Sequence, residues 1–356
     1  MRILIATPVF SPGTGGIEVN AELLAGAFAQ SGDSVRVATL TKETGDREWK
    51  YPVFRSPSTS TLWQLYRWAE VVLLNHYSGR LGWPLVWQRR PVLLAVRTWL
   101  PPDARLPWLA RVVRRIVINQ ARLLANSQAI AADLPKQAVV VGNPYRANLF
   151  HDRPEIPRTL PLLYVGRLVS DKGVDLLLHA LAKRAVLDAA RRVAQADQWH
   201  GPLLRIVGDG PEREPLVQLT RELSLTREVE FLGNQPGEEV ARAMNAAKVL
   251  VIPSRWREPF GNIALEGIAS GCVVVATRDG GLVDAVGDCG LLVARGEVEP
   301  LAAGISRALC DSELPERFRS LRQDHLAPRQ PEVVATRYRE ELVAATADRN
   351  HGTPHV

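Results

Sequence analysis

Cysteine is scarce in this chain. Three occur in 356 residues, Cys272, Cys289 and Cys310, an odd number without metal-ligand spacing, which argues against a disulfide framework or a zinc centre. No apolar run reaches the roughly 20 residues that span a bilayer. The opening segment M-R-I-L-I-A-T-P-V-F has neither the long apolar region nor the small-residue cleavage site of a signal peptide, and it reads as a first strand. A cytoplasmic compartment is expected. The G-x-G-x-x-G dinucleotide fingerprint is missing, as is any paired-carboxylate metal motif, so neither cofactor nor metal is expected. No aromatic-basic RNA motif or recognition helix accompanies the basic residues, and no nucleic-acid partner is expected. Acid is nearly absent from one stretch: between Arg80 and Arg122 lie Arg89, Arg90, Arg97, Arg105, Arg111, Arg114 and Arg115, against the single acid Asp103.

The length suffices for two domains, each burying its own core. Short β-branched runs alternate with longer helical patterns, which argues for α/β units with mainly parallel sheets. Strands are expected at Arg2–Ala6, Ser34–Thr39, Val71–Asn75, Val92–Val96 and Ala138–Val141, then at Leu162–Gly166, Leu203–Gly208, Val229–Leu232, Val249–Pro253, Val273–Ala276 and Gly290–Val293. Two doubly wound domains follow, residues 1–150 and 151–330. The seam falls in the Pro-rich segment from Gly142 to Pro161. Val333, Val334, Arg337, Tyr338, Glu341 and Leu342 suggest a last helix within 331–356, packing back across the domains, with a frayed tail after Asp348. Ligands of open α/β sheets bind beyond the carboxyl ends of the strands, so the two domains are expected to face each other across a cleft.

The segment E-P-F-G-N-I-A-L-E, Glu258 to Glu266, is the sharpest signal. A buried strand, Leu250 to Ile252, leads into a loop and then a helix start, which places Gly261 and Asn262 where unpaired backbone amides and the helix dipole favour an anion. Charges at this spacing are often mere surface. Glu266, however, is embedded among Ile263, Ala264, Leu265, Gly267 and Ile268, and a carboxylate there is costly without partners. A diphosphate on the amides of Phe260, Gly261 and Asn262, with a carboxylate on either side for hydroxyl groups, is the chemistry of a nucleotide sugar.

Other candidates follow strand ends. The turn from Thr7 to Glu18, with Gly13-Thr14-Gly15-Gly16, lets backbone approach a ligand closely. Arg167 and Lys172, in G-R-L-V-S-D-K-G, stand where cations neutralise a departing diphosphate; solvated loop charges are the plainer reading. Gly208 in V-G-D-G-P and Asn234 in F-L-G-N could line a nucleoside pocket, although a structural turn is at least as good an account of Gly208. His76 ends the buried run V-V-L-L-N-H and could face the cleft. The run Leu106 to Gln120 carries Leu109, Val112, Val113, Ile116 and Val117 at helical spacing beside Arg111, Arg114 and Arg115. It is either a core-packing helix or, with Trp99 and Trp108, a face for an anionic membrane surface.

Taken together, G-G-I-E, G-R-L-V-S-D-K-G, V-G-D-G-P, F-L-G-N, P-S-R-W-R-E-P-F-G-N-I-A-L-E-G-I-A-S-G and A-T-R-D-G-G-L-V-D-A-V resemble the retaining GT-B glycosyltransferases of family four. The likeness covers nearly the whole C-terminal half and is thin in the N-terminal half. It implies a GT-B fold of two Rossmann-like domains and a metal-independent, retaining transfer of sugar from a nucleoside-diphosphate sugar. It implies that Glu266 holds the donor ribose, that Glu258 contacts the transferred sugar, that Arg167 and Lys172 grip the diphosphate, and that Gly16 approaches it from the other domain. Glu18 and Arg97 fall on the acceptor side. Where the family often has a His, after P-V-L-L-A-V, this chain has Arg97; His76 could substitute, or Arg97 could bind an anionic acceptor. The acceptor implied is a hydroxyl-bearing glycan, a lipid-linked sugar or a small molecule, in the cytoplasm or on the inner face of the membrane. A non-catalytic sugar-nucleotide-binding subunit and a nucleotide-sugar epimerase are the alternatives.

Overall fold

The strand segments are apolar on both sides. Ile3 to Ala6 and Val71 to Leu74 are buried at every position, and such strands are satisfied in a parallel sheet covered by helices on both faces. The computed structural model describes residues 1–13, 15–43 and 48–350, with side chains as far as 347. Thr14 of the glycine-rich turn, residues 44–47 and the tail from 351 lie outside the described residues; of the segment after Asp348, where fraying was expected, residues 349 and 350 belong to the last helix. The chain divides into two compact units, Met1–Pro144 with Arg329–Val356, and Tyr145–Pro328.

The first unit holds β1 Arg2–Thr7, β2 Ser34–Thr39, β3 Val53–Arg55, β4 Val71–Asn75, β5 Val92–Val96, β6 Arg122–Ala125 and β7 Val139–Val140. Their order is β3-β2-β1-β4-β5-β6-β7, and the pairs are parallel. The order reverses between β1 and β4, where Ile3 pairs with Val71. The sequence pattern did not disclose β3 or β6. The first is a three-residue edge strand; the second follows the helix Trp108–Gln120 after one residue, so Leu123 and Leu124 continue that helix's apolar pattern.

The last helix, Pro331–Asn350, belongs to the first unit. Val334, Tyr338 and Leu342, at i, i+4 and i+8, pack among Ile3, Phe28, Val71 and Leu93. Arg339 reaches Asp33 at 3.0 Å, and Glu341 pairs with Arg122.

The second unit holds β8 Leu160–Val165, β9 Leu204–Val207, β10 Val229–Gly233, β11 Ala247–Ile252, β12 Val273–Thr277 and β13 Gly290–Val293, in the order β10-β9-β8-β11-β12-β13. All pairs are parallel, and the order reverses between β8 and β11. Alternate residues point to opposite faces: Val249, Val251, Val273 and Val275 join one core, while Leu250, Ile252 and Val274 join the other with Leu265 and Ile268. No described helix is long and apolar enough to cross a membrane.

Candidate functional site

In the second unit the candidates gather at the carboxyl ends of β8, β9, β11 and β12, the end of a doubly wound sheet that takes ligands at the point where strand order reverses. The loop after β8 carries Arg167 and Lys172; the loop after β11 carries Glu258. Lys172 Nζ donates to Glu258 Oε1 at 2.5 Å, and Ser254 Oγ, fully buried, lies 3.1 Å from the same oxygen. Main-chain amides of Arg255 and Trp256 donate to Asp171 O at 2.8 and 2.9 Å, which ties the two loops along their backbones. Arg167 is exposed, and its side chain forms no hydrogen bond or ion pair among the described residues. Of these two cations, Lys172 is thus paired, and Arg167 has no such partner among the described residues.

The helix Asn262–Ala269 starts from Gly261, which has φ 107° and no side-chain cap. Phe260 is buried in the core, so only its backbone is available to a ligand. A further turn braces this loop from behind: Gly281 N donates to Glu258 O at 2.7 Å, and a Cβ on Gly280 would stand 2.3 Å from the same carbonyl. Glu266 lies in the second turn of the helix, 7% exposed. Its Oε1 accepts from Arg146 Nε and Nη2, each at 3.1 Å. Burial holds the Glu266 carboxyl above the usual carboxylate range, and Arg146 pulls against that rise. Gly208 has φ 130° and packs where a Cβ would fall 1.9 Å from Gly166 O. Asn234, past the edge strand β10, is exposed.

In the first unit the candidates stand at the carboxyl ends of β1, β4 and β5, again beside the reversal of strand order. Gly16 opens the helix Gly16–Gln30, and Glu18 lies in its first turn. The Glu18 carboxylate folds back over the turn, since a Cβ on Gly15 would be 2.5 Å from its Oε2. His76 follows β4 with φ 81°, a backbone region that non-glycine residues seldom adopt. Its Nδ1 accepts from Arg97 N at 3.3 Å, which leaves the ring proton on Nε2. Burial, with the Arg97 charge beside it, pushes the imidazole down to about 4.

Arg97 is 4% exposed. Its Nε donates to Asn75 Oδ1 and its Nη1 to Asn143 Oδ1, both at 2.8 Å, and the guanidinium lies 5.2 Å from the Tyr338 ring centre. No carboxylate pairs with it among the described residues, and Nη2 is buried without a partner. Asn75 Nδ2 also donates to Ile17 O at 3.0 Å, which links the ends of β4 and β5 to the helix start at Gly16. Sequence reasoning missed Arg146, Ser254, Asn75 and Asn143. A polar residue closing the apolar run V-V-L-L-N was a signal for Asn75, and the need of a buried Glu266 for a partner was one for Arg146.

Known proteins resemble this chain in sequence and in fold. Residues 149–322 match the family model described as glycosyl transferases group 1. Those residues belong to the glycosyl transferases group 1 family. Over 206 residues the chain is 33% identical to the glycogen synthase of Mycobacterium tuberculosis, covering 56% of this chain and 47% of that protein. It is 32% identical over 273 residues to a D-inositol 3-phosphate glycosyltransferase of Corynebacterium jeikeium, covering 67% of this chain and 64% of the relative. The chain thus spans less than two thirds of either relative. Anabaena Alr3699/HepE, solved in complex with UDP, superposes with a TM-score of 0.77 at 19% identity, covering 97% of this chain and 100% of that one. The fold of the chain is accordingly GT-B, two Rossmann-like α/β units.

Proposed function

We propose that the protein is a metal-independent, retaining glycosyltransferase that moves a sugar from a nucleoside-diphosphate sugar to a hydroxyl acceptor in glycan or lipid-linked glycan synthesis. The observation that carries this reading is the Lys172–Glu258 pair beside the uncapped helix start at Gly261, with Glu266 one turn behind it. In this reading Arg167, Lys172 and the helix amides hold the diphosphate and stabilise the charge that grows as it leaves. The bond from the sugar's anomeric carbon to the leaving phosphate oxygen breaks, the acceptor oxygen bonds to the same face, and its proton passes to the departing oxygen. Glu258 positions the transferred sugar, and Glu266 accepts from the ribose. The two cations supply the positive charge that a divalent ion supplies elsewhere, which supports metal independence. A thermal-shift panel of nucleoside diphosphates and their sugars tests it, with UDP first because Alr3699/HepE was solved with it. A bound donor raises stability with occupancy, and sugar transfer by the same preparation should follow. No shift with any member of the panel sinks the reading.

We further propose that the acceptor lies at the inner membrane surface. What supports this is the helix Trp108–Gln120, which leaves Trp108 64%, Leu109 58% and Val112 46% exposed beside exposed Arg105, Arg111 and Arg115. Apolar anchors among cations suit an interface of anionic lipid. Flotation with phosphatidylglycerol vesicles but not with phosphatidylcholine vesicles is the expected result, weakened by Trp108→Ser with Leu109→Ser. Sedimentation away from both vesicle types removes the membrane from the proposal.

A further inference from the structure

Glu266 sits in an apolar helix where an unpartnered carboxylate would take up a proton instead of accepting hydrogen bonds. Its partner comes from 120 residues earlier in the chain. Arg146 places Nε and Nη2 on one oxygen, Oε1, each at 3.1 Å. Its guanidinium lies 4.8 Å from the ring centre of Phe150, itself fully buried. The wall behind is close as well, since a Cβ on Gly237 would stand 3.3 Å from Arg146 Nη1 and 2.9 Å from Leu149 Cδ2. Glu266 Oε2 accepts no hydrogen bond from any described residue.

We infer that Arg146 is a positioning residue for the donor: it fixes the Glu266 carboxylate by Oε1 and leaves Oε2 to accept from the ribose hydroxyls of a nucleoside diphosphate. This rests on the reading of Glu266 as the ribose contact. The planar fork and the ring beneath it are what a lysine lacks, so charge alone restores only part of the effect.

Binding to the full chain by calorimetry tests the inference, with UDP, GDP, ADP and CDP as probes and the 2′,3′-dideoxy form of whichever binds tightest. The wild type should prefer the ribose form by about tenfold or more, a factor that corresponds to about 1.4 kcal/mol. In Arg146→Met this preference should fall to within about twofold while the dideoxy affinity holds, and Arg146→Lys should lie between. The dideoxy affinity reports whether the site is folded; if Arg146→Met loses it, Arg146→Lys decides, a reduced preference supporting the inference and an unchanged one overturning it. A preference that survives in both variants overturns the role of Arg146 and leaves Glu266 in place. A wild type that binds both forms equally overturns Glu266 as the ribose contact, and Arg146 with it. Binding of none of the four diphosphates sinks the proposed function itself.

Discussion

A guanidinium buried without a carboxylate, as in Arg97, must find its compensation elsewhere. Two amide oxygens, of Asn75 and Asn143, and the face of Tyr338 supply it. The side chain is turned inward, and His76 beside it is half-buried. Arg97 acts on it twice, by donating its backbone N–H to Nδ1 and by placing a fixed positive charge nearby. Burial first, and that charge second, keep the imidazole neutral, so that it donates from Nε2 across the physiological range. With its folded value at about 4, below the ordinary 6.5 or so, the unfolded chain binds a proton between those limits that the folded chain refuses. Stability is therefore lost as pH falls from about 6.5 to about 4, and no further loss from this group follows below that. Relative to His76→Asn, which tolerates the same positive φ, the wild type should lose urea midpoint over that window. Parallel profiles would show that His76 titrates normally and that Arg97 does not hold it.

Elements were legible where they are periodic and bounded by turns. β2, β4, β5 and β13 carry the boundaries expected from the sequence, and most other strands shift by one or two residues. β6 was hidden because the chain passes from helix to strand through Ala121 alone. The helix Trp108–Gln120 shows why spacing misleads: Leu109 and Val112 continue its apolar stripe yet are exposed, while Arg114 on the other side is buried and donates to Pro101 O at 2.5 Å. Pattern registers where apolar residues recur, not which of them finds a neighbour. The loops of the candidate site were legible as motifs, because glycine is required where backbones touch. Gly208 illustrates the cost of ignoring this. It combines φ 130° with a Cβ position 1.9 Å from Gly166 O, and Gly208 N donates to Gly233 O at 2.8 Å. Gly208→Ala must strain the backbone or part the loops, at about 1–3 kcal/mol. Urea unfolding of the second unit should report a loss of that size; a change under about 0.5 kcal/mol, the range of an ordinary surface substitution, would show that the loops are not packed as described.

At the scale of the whole chain the sequence disclosed two doubly wound units, since each half alternates strand and helix patterns. It could not disclose pairings between residues far apart, and these settle both the membership of the last helix and the partner of Glu266. Arg146 and Tyr338 look like an ordinary linker cation and an ordinary aromatic until the fold brings Glu266 to one and Arg97 to the other. Tyr338 makes the point testable. It is 1% exposed and packs among Ile3, Phe28, Val71 and Leu93, residues of the first unit from the opposite end of the chain. The chain re-enters that unit at Arg329 after completing the second. Replacing a fully buried aromatic by alanine removes its transfer energy and leaves a cavity, a loss of about 3–5 kcal/mol. Hydrogen exchange on Tyr338→Ala should therefore show faster exchange in β1, β4 and β5, while β8, β11 and β12 keep their protection. Tyr338→Phe, which keeps the ring beneath Arg97, should cost less. Equal loss of protection in both sets of strands would mean that the two units unfold as one cooperative block, and the helix would then stabilise the whole chain instead of the first unit.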